Sequence, residues 1–288
     1  MSEQEKNRVE GGTLYLVATP IGNLADMSER AIKVLTECDF VAAEDTRNTA
    51  KLLACFGIRQ ELVSYYEHNK KKRGEELCAR LETGESCALV TDAGMPAVSD
   101  PGEDIVRLCA ERGIRVRIVP GCCAAVSALA LSGLSTSRFA FEGFLPAKSG
   151  DRLKHLERVR GEDRTLIFYE APHKLRATLA DMEKVFGGGR AISLCRELTK
   201  RNEEVLRTTL AGAVAYYGTE EPRGEFVLVV EGAPEGESTA LTSPLCALSE
   251  EDHVRHYEDG GMSRMDAIKA AAKDRGMSKK DLYKIVNT

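Results

Sequence analysis

The segment LVTDAGMPAVSDPG, residues 89–102, ends a short apolar run in a stretch crowded with Asp, Gly, Pro and Ser. An ordinary surface turn needs two or three such residues. A longer Pro/Gly loop lets backbone N–H and C=O groups approach a ligand closely, and Asp92 adds a carboxylate able to hold a ribose hydroxyl or an ammonium. Four further loops have this character: TPIGNLAD (19–26), PGCCA (120–124), LP (145–146) and EAPH (170–173). The chain contains neither G-x-G-x-x-G nor G-x-x-x-x-G-K-[ST]. Hydride transfer and nucleoside triphosphate chemistry therefore lose their main support. Any one of these loops alone reads as a tight strand-to-helix turn. Five of them, each after an apolar run, point to a shared ligand site.

Functional residues of open α/β sheets sit outside the carboxyl ends of the strands, so the elements behind the loops decide what the loops can do. TLYLVA, DFVAAE, ELVSYY, SCALVT and VRIVP read as strands, and SERAIKVLTE, NTAKLLACFG, RGEELCARLETG and EDIVRLCAERG as helices between them. Gly57, Gly84 and Gly113 suit the residue just past a helix end. A second series follows CCAAVSALALSG. Strands FAFEGF, TLIFYEA, AISLCREL and EFVLVVEG alternate with helices GDRLKHLERVRG, HKLRATLADMEKVFGGG and EEVLRTTLAGAVAYYG. The expected organisation is α/β throughout: a flexible N-terminus (1–11), an N-terminal α/β domain (12–121) and a C-terminal α/β domain (122–232). A Pro/Gly/Ser/Thr linker (233–248) and a small helical tail (249–288) follow, the tail with turns at Gly260-Gly261 and Gly276.

The bulk numbers narrow the class. With 288 residues, 43% hydrophobic and 30% charged, the chain suits one large or two medium globular domains. The polar stretch MSEQEKNRVEGG lacks the apolar core of a signal peptide, and no apolar run approaches the roughly 20 residues that cross a bilayer. A cytoplasmic location is expected. Nine cysteines without a C-x-x-C pair read as reduced and mostly buried, and no metal site is expected; His253 and His256 read as exposed polar residues on one helix. The net charge of −5 argues against a free nucleic acid as a tight ligand. Two basic patches stand out locally: Lys70-Lys71-Lys72-Arg73, and residues 262–288, which carry seven Lys/Arg against three Asp.

TPIGNL, AAEDTR, TDAGMPAVSDPG, VPGCCAAVSAL, FEGFLP and FYEAPHKL, in this order, resemble the tetrapyrrole methylase superfamily. They resemble most its branch of small-subunit ribosomal RNA methyltransferases, which 2′-O-methylate a cytidine in the decoding region of 16S RNA. The resemblance implies two consecutive α/β domains with S-adenosylmethionine in the cleft between them, and a homodimer. It implies that the DAGMP loop cradles the methyl donor: Pro20 on the pocket floor, Asp92, Ala93, Gly94 and Pro96 in the main loop, Ser99 nearby. Ser127 and Ala128 would close another side, and Tyr169 and Ala171 would meet the adenosine from the second domain. The chain departs from the family in carrying Cys122-Cys123 where a pair such as Pro-Ser usually follows the Pro-Gly turn.

Polar residues set this branch apart from its pigment-methylating relatives. Transfer to a ribose hydroxyl needs the oxygen in line with the methyl, a group to take the proton, and cations to position phosphates. Glu44, Asp45, His68 and Glu170 are candidate bases. Arg47, Asn69, Lys70, Lys71, Lys72, Arg73, His173, Arg196 and Lys200 are candidate RNA contacts. Plainer roles compete with each: Asp45 as the cap of the following helix, His173 as a helix cap, Arg196 and Glu197 as an ion pair, the basic run as a solvated helix start. Two other functions stay open, a precorrin or corrin C-methyltransferase and a ribosome-binding protein without catalysis. The expected partner is 16S rRNA within the small ribosomal subunit, because a folded particle met by local basic patches suits an acidic chain better than free RNA.

Overall fold

Strands buried on both faces read as continuous apolar runs, and the first such runs of this chain build a parallel sheet. The computed structural model describes residues 8–234, 244–275 and 277–286. Residues 1–7 of the expected N-terminal arm, 235–243 of the expected linker and the expected turn at Gly276 lie outside the described residues. Five strands, β1 (Thr13–Val17), β2 (Phe40–Ala43), β3 (Leu62–Ser64), β4 (Cys87–Val90) and β5 (Arg115–Val119), pair in the order β3-β2-β4-β1-β5, every pair parallel. Leu14 and Tyr15 show the period of two. Tyr15 packs with Val34, Leu35, Val41 and Leu53 on the face covered by α1 (Glu29–Glu37) and α2 (Thr46–Cys55). Leu14 packs with Phe40, Leu77, Leu81 and Ile105 on the opposite face, covered by α3 (Lys70–Glu82) and α4 (Glu103–Glu111).

Local chemistry explains where these helices stop and start. Ser28 accepts a hydrogen bond from the Ala31 N–H at the start of α1, and Asp45 accepts from the Arg47 N–H at the start of α2. Gly57, Gly84 and Gly113 follow α2, α3 and α4 with positive φ, as expected of them. Two helices begin earlier than the apolar pattern suggested. The basic run is the first turn of α3, and the Asp45 cap brings Thr46 and Arg47 into α2.

The second sheet is mixed. β6 (Phe139–Phe144), β7 (Thr165–Glu170), β8 (Ala191–Arg196), β9 (Glu204–Thr209) and β10 (Phe226–Val230) pair in the order β6-β7-β10-β8-β9; only β6 and β7 are parallel. One expectation is corrected here. The segment read as a single helix from Glu203 to Gly218 begins as β9 and becomes helical only at α8 (Leu210–Thr219). Val205, Thr208 and Thr209 are β-branched and suit the open edge of β8, while Thr209 caps α8 by accepting from the Gly212 N–H. α6 (Ser149–Val159), α7 (Pro172–Phe186) and α8 cover one face of this sheet. α5 (Ala124–Ser132) covers the other, with Ala125, Ala128 and Leu129 against Ile167, Val227 and Val229.

The C-terminal segment forms α9 (Glu250–Asp259), α10 (Arg264–Asp274) and α11 (Lys279–Val286) around Val254, Ile268, Ala271 and Leu282. Each is opened by Ser-x-x-Asp: Ser249, Ser263 and Ser278 accept from the N–H groups of Asp252, Asp266 and Asp281. His253 is not exposed, as the sequence reading expected, but 0% accessible. Its ring lies between Asp274 (3.2 Å) and the Arg275 guanidinium (3.0 Å), which satisfy both nitrogens. No helix among the described residues is long and apolar enough to cross a membrane.

Candidate active site

The order β3-β2-β4-β1-β5 creates a switch point. After β1 the chain turns toward β2 through α1, whereas after β4 it turns toward β5 through α4, on the other face. The carboxyl ends of β1 and β4 therefore open a crevice between their two loops, the usual ligand position in such sheets. Thr19 and Gly94 bridge these loops with paired backbone hydrogen bonds of 2.9 and 3.0 Å, and the Thr19 hydroxyl donates to the Thr91 carbonyl. The punctuation in the β4 loop now has a cause. Gly94 has φ +85°, and a Cβ on Gly102 would lie 2.9 Å from that of Ala97, so the loop folds back on itself. The Pro120-Gly121 turn fits equally closely: a Cβ on Gly121 would lie 2.9 Å from Ala18 Cβ.

A cavity of about 560 Å³ opens where these loops face the second sheet. Glu44, Asp92, Ala93, Gly94, Ser99 and Asp100 line it from the first sheet's side. Tyr169, Glu170, Ala171, Phe144, Leu198 and Val227 line it from the second. The halves meet closely at two points. A Cβ on Gly143, at the bulge of β6, would sit 3.2 Å from Ser99 Oγ, and one on Gly22 would sit 2.3 Å from Lys200 Cγ. Among the described residues, the four non-glycine residues with positive φ are Ala97, Ser99, Glu197 and Thr199, all in the loops after β4 and β8 that flank the cavity. Such backbone costs about 1–3 kcal/mol per residue and gathers where a site over-determines its shape.

The carboxylates on the first side crowd one another. Burial pushes the Asp100 carboxyl up to about 6, with the Glu44 charge adding to the rise, the Thr91 hydroxyl opposing it and Asp92 adding further. Burial also raises Glu44; a hydrogen bond from the Asp92 N–H opposes this, and the charges of Asp92 and Asp45 add to it. On the second side, the Tyr169 hydroxyl accepts from the Ala125 N–H (3.1 Å) at the start of α5, and its ring meets Phe141 and Phe144 edge-on. Burial raises its hydroxyl to about 12. Tyr169 thus holds α5 against the sheet with the cavity beside it.

The structure separates the residues singled out from sequence. Glu44, Asp92, Ala93, Gly94, Ser99, Tyr169, Glu170 and Ala171 meet at the cavity. Pro20 instead lines a smaller neighbouring cavity; Pro96 is buried in the β4 loop, and Ala128 is packed under β8, its carbonyl facing the Cys195 thiol. Ser127, on the same helix, does not line the cavity. Asp45 does not line the cavity: Arg47 grips its carboxylate, which with the Arg47 N–H holds it down at about 2. Glu170 lines the cavity but is buried and committed, accepting from the Ala171 N–H (2.8 Å) and the Thr178 hydroxyl (2.5 Å). His68 is exposed in the loop after β3, and Asn69 clasps that loop through the Tyr66 N–H and the Ser64 carbonyl.

The cations divide similarly. Lys70 bridges Glu67 and Asp104, and Arg73 pairs with Glu76; Lys71 and Lys72 project from α3, Lys72 reaching Glu76 only at 3.9 Å. Arg196 pairs with Glu204 and not with Glu197; Glu197 and Glu225 share Lys200 at 2.9 and 2.8 Å. His173 is exposed in the first turn of α7 behind Pro172. Sequence reasoning missed Asp100, Cys123 and Cys195 at the cavity. Asp100 and Cys123 had a signal, since they stand in the quoted loop of Asp92 and in the PGCCA loop; Cys195, inside a strand, had none.

A parallel sheet with a ligand crevice at its switch point, joined by a mixed sheet that closes the crevice, is the architecture of the tetrapyrrole methylases. Residues 13–214 match the family Tetrapyrrole (Corrin/Porphyrin) Methylases. The chain is 50% identical over 281 residues to "Ribosomal RNA small subunit methyltransferase I" of Halalkalibacterium halodurans, covering 97% of this chain and 96% of that protein. It is 44% identical over 275 residues to the protein of the same name from Escherichia coli O157:H7, covering 95% and 94%. In fold it is similar to uroporphyrin-III C-methyl transferase of Thermus thermophilus, a structure complexed with S-adenyl homocysteine. That similarity has a TM-score of 0.53 at 18% identity, over 75% of this chain and 96% of that one. The chain belongs to the tetrapyrrole methylase family, in its ribosomal RNA small subunit methyltransferase I branch.

Proposed function

We propose that the chain is an S-adenosylmethionine-dependent methyltransferase that 2′-O-methylates a cytidine in the decoding region of 16S rRNA, acting on the small ribosomal subunit as a homodimer. The observation that carries this reading is the cavity at the switch point, with a backbone cradle on one wall and crowded carboxylates beside it, in a chain 50% identical to a named relative over 97% of its length. The cradle suits the donor. Gly94 turns with φ +85°, which L side chains rarely adopt, so the loop presents bare main chain to the cavity it lines. Bound there, S-adenosylmethionine would supply an electrophilic methyl group, with its sulfonium sulfur leaving as the neutral thioether when the S–C bond breaks.

The protein's own residues do the rest. Ala93, Gly94 and Ser99 hold the donor from one side, and Tyr169 and Ala171 hold it from the other. Phe144, Val98 and Leu198 exclude water. As the C–O bond forms, the 2′-oxygen must lose its proton, and Asp100 with Glu44 beside it takes that proton. A carboxylate poised near neutrality suits this work better than Asp45, which Arg47 keeps ionised, or Glu170, whose oxygens are both engaged. Lys71, Lys72 and Arg47 are the cations best exposed for backbone phosphates; Arg47 and Lys72 side chains are 85% and 87% accessible.

The test is methyl transfer from labelled S-adenosylmethionine to small ribosomal subunits, naked 16S RNA and a precorrin, side by side. Label at one 2′-O-methylated cytidine, with subunits preferred over naked RNA, is the expected result. Label only in the pigment would overturn the acceptor. Donor binding without transfer to any of the three would overturn the enzymatic reading.

A further inference from the structure

Next to the main cavity lies a smaller one of about 200 Å³, between α2 and the loop after β1. Pro20, Leu24 and Leu52 give it apolar walls, and Asn48 and Asp92, next to Thr49 and Thr91, give it a polar edge. Asp92 also lines the main cavity, so the two spaces meet at its carboxylate. Asn48 Nδ2 donates to Asp92 Oδ2 at 3.0 Å. That bond holds the two side chains together and leaves the second Asn48 N–H as a donor beside the free Asp92 oxygen as an acceptor. Asn48 stands in the first turn of α2, which the Asp45 cap fixes at its start.

Apolar walls with an adjacent donor and acceptor on one edge complement a nucleobase, which offers flat apolar faces and a hydrogen-bonding edge. The slot falls below the about 300–1,000 Å³ usual for pockets that enclose a whole small ligand, so it takes a single heterocycle and not a nucleoside donor. A ribose attached to a base held there would stand at Asp92, at the mouth of the main cavity. An enzyme acting on a nucleotide inside folded RNA must turn that nucleotide out of its stack, and the seat for the displaced base lowers the cost of doing so.

We propose that this slot receives the base of the acceptor nucleotide, with Asn48 and Asp92 pairing to its edge and Pro20, Leu24 and Leu52 covering its faces. The inference rests on the RNA methylation reading. Its test uses Leu52→Trp, which fills the slot, and Asn48→Ala, which removes one half of the polar edge. Three quantities are read: donor affinity by calorimetry, label transfer to small ribosomal subunits, and transfer to subunits carrying cytidine→uridine at the mapped position. Both variants should keep donor affinity within about twofold, because neither Asn48 nor Leu52 lines the main cavity. Leu52→Trp should lower kcat/KM on subunits by about 30-fold or more, and Asn48→Ala by about tenfold, the scale of one specific base contact. Asn48→Ala should also lose most of the wild-type preference between cytidine and uridine, which a merely structural effect would leave in place. Full transfer by Leu52→Trp, or an unchanged base preference in Asn48→Ala, would overturn the proposal. So would a donor affinity that collapses in Leu52→Trp, since the slot would then hold part of the donor. If wild type binds the donor yet labels no ribosomal RNA, the methylation reading itself fails, and the nucleobase assignment fails with it.

Discussion

The two walls of the cleft treat charge in opposite ways. On the first wall, Glu44, Asp92 and Asp100 face one another, and no cation is among the groups that offset the rise of Glu44 or Asp100. On the second, Glu197 is neutralised by Lys200, which also reaches Glu225, and Arg196 is matched by Glu204. Burial pushes Glu197 up, but the Glu225 N–H, the Lys200 ammonium and Arg196 together leave it below the usual carboxylate range. Both loops carry two non-glycine residues at positive φ, so backbone strain does not distinguish them. Charge balance does. The paired loop is a clasp between the halves, with Lys200 lying over Gly22, whereas the crowded wall keeps acids that want a proton.

The contrast can be broken by substitution. The largest effect on donor binding is expected from Gly94→Val, because a β-branched residue at φ +85° strains the Thr19 bridge and faces Ile21. Donor affinity should fall by about 30-fold or more, and calorimetry that finds it unchanged would remove the cradle from that loop. Next comes Asp100→Asn, which should cut kcat by about 10²–10⁴-fold while sparing donor affinity. The wild-type rate should rise with pH through about 6 and then level, and the variant should lose that limb.

Stability moves the other way at Asp100. Its folded carboxyl is raised above its unfolded value, so its contribution is complete below the ordinary value of 3.8 and is lost as pH rises through about 6. Asp100→Asn should therefore have a higher Tm than wild type above pH 6, with the gain vanishing in acid. Glu197→Gln should show the reverse sign, a lower Tm at neutral pH that converges with wild type as pH falls. Tm-against-pH curves of the same sign for both variants would end the distinction between the walls.

Smaller effects test the rim. Lys71→Ala and Lys72→Ala together should flatten the dependence of subunit binding on log salt by about 0.9 for each phosphate contact removed. An unaltered slope would leave this end of α3 as solvated surface. Asp45→Ala should keep activity within about threefold and lower Tm by roughly 2–4 °C, the effect of a lost helix cap in a domain of this size. A deep loss of turnover at unchanged Tm would return Asp45 to the chemistry.

Much of the framework was legible because it rests on near neighbours in the chain. Apolar runs marked the strands of the first sheet, glycines marked helix ends, and the quoted loop marked the ligand site. β9 was misread because Glu203 to Gly218 has no break in composition, and only the open edge of β8 turns its first half into a strand. Asp100 was passed over beside Asp92, because its raised carboxyl depends on burial in the folded cavity and then on Glu44, far away in sequence and close in space. His253 looked like surface until Asp274 and Arg275 enclosed it. The basic run looked free, yet three of its four residues are paired, one of them to Asp104 on α4.

The sequence by itself determined the elements, the loops with room for a ligand and the family, since these depend on local backbone preference and on motifs read in order. The tertiary structure alone decided which acids crowd and which are paired, that Pro20 belongs to a separate slot, and that Asp45 serves α2. Charge, burial and hydrogen bonding act across space, and residues 8 or 56 positions apart, such as Asp92, Asp100 and Glu44, acquire their chemistry only when the fold brings them to one cavity.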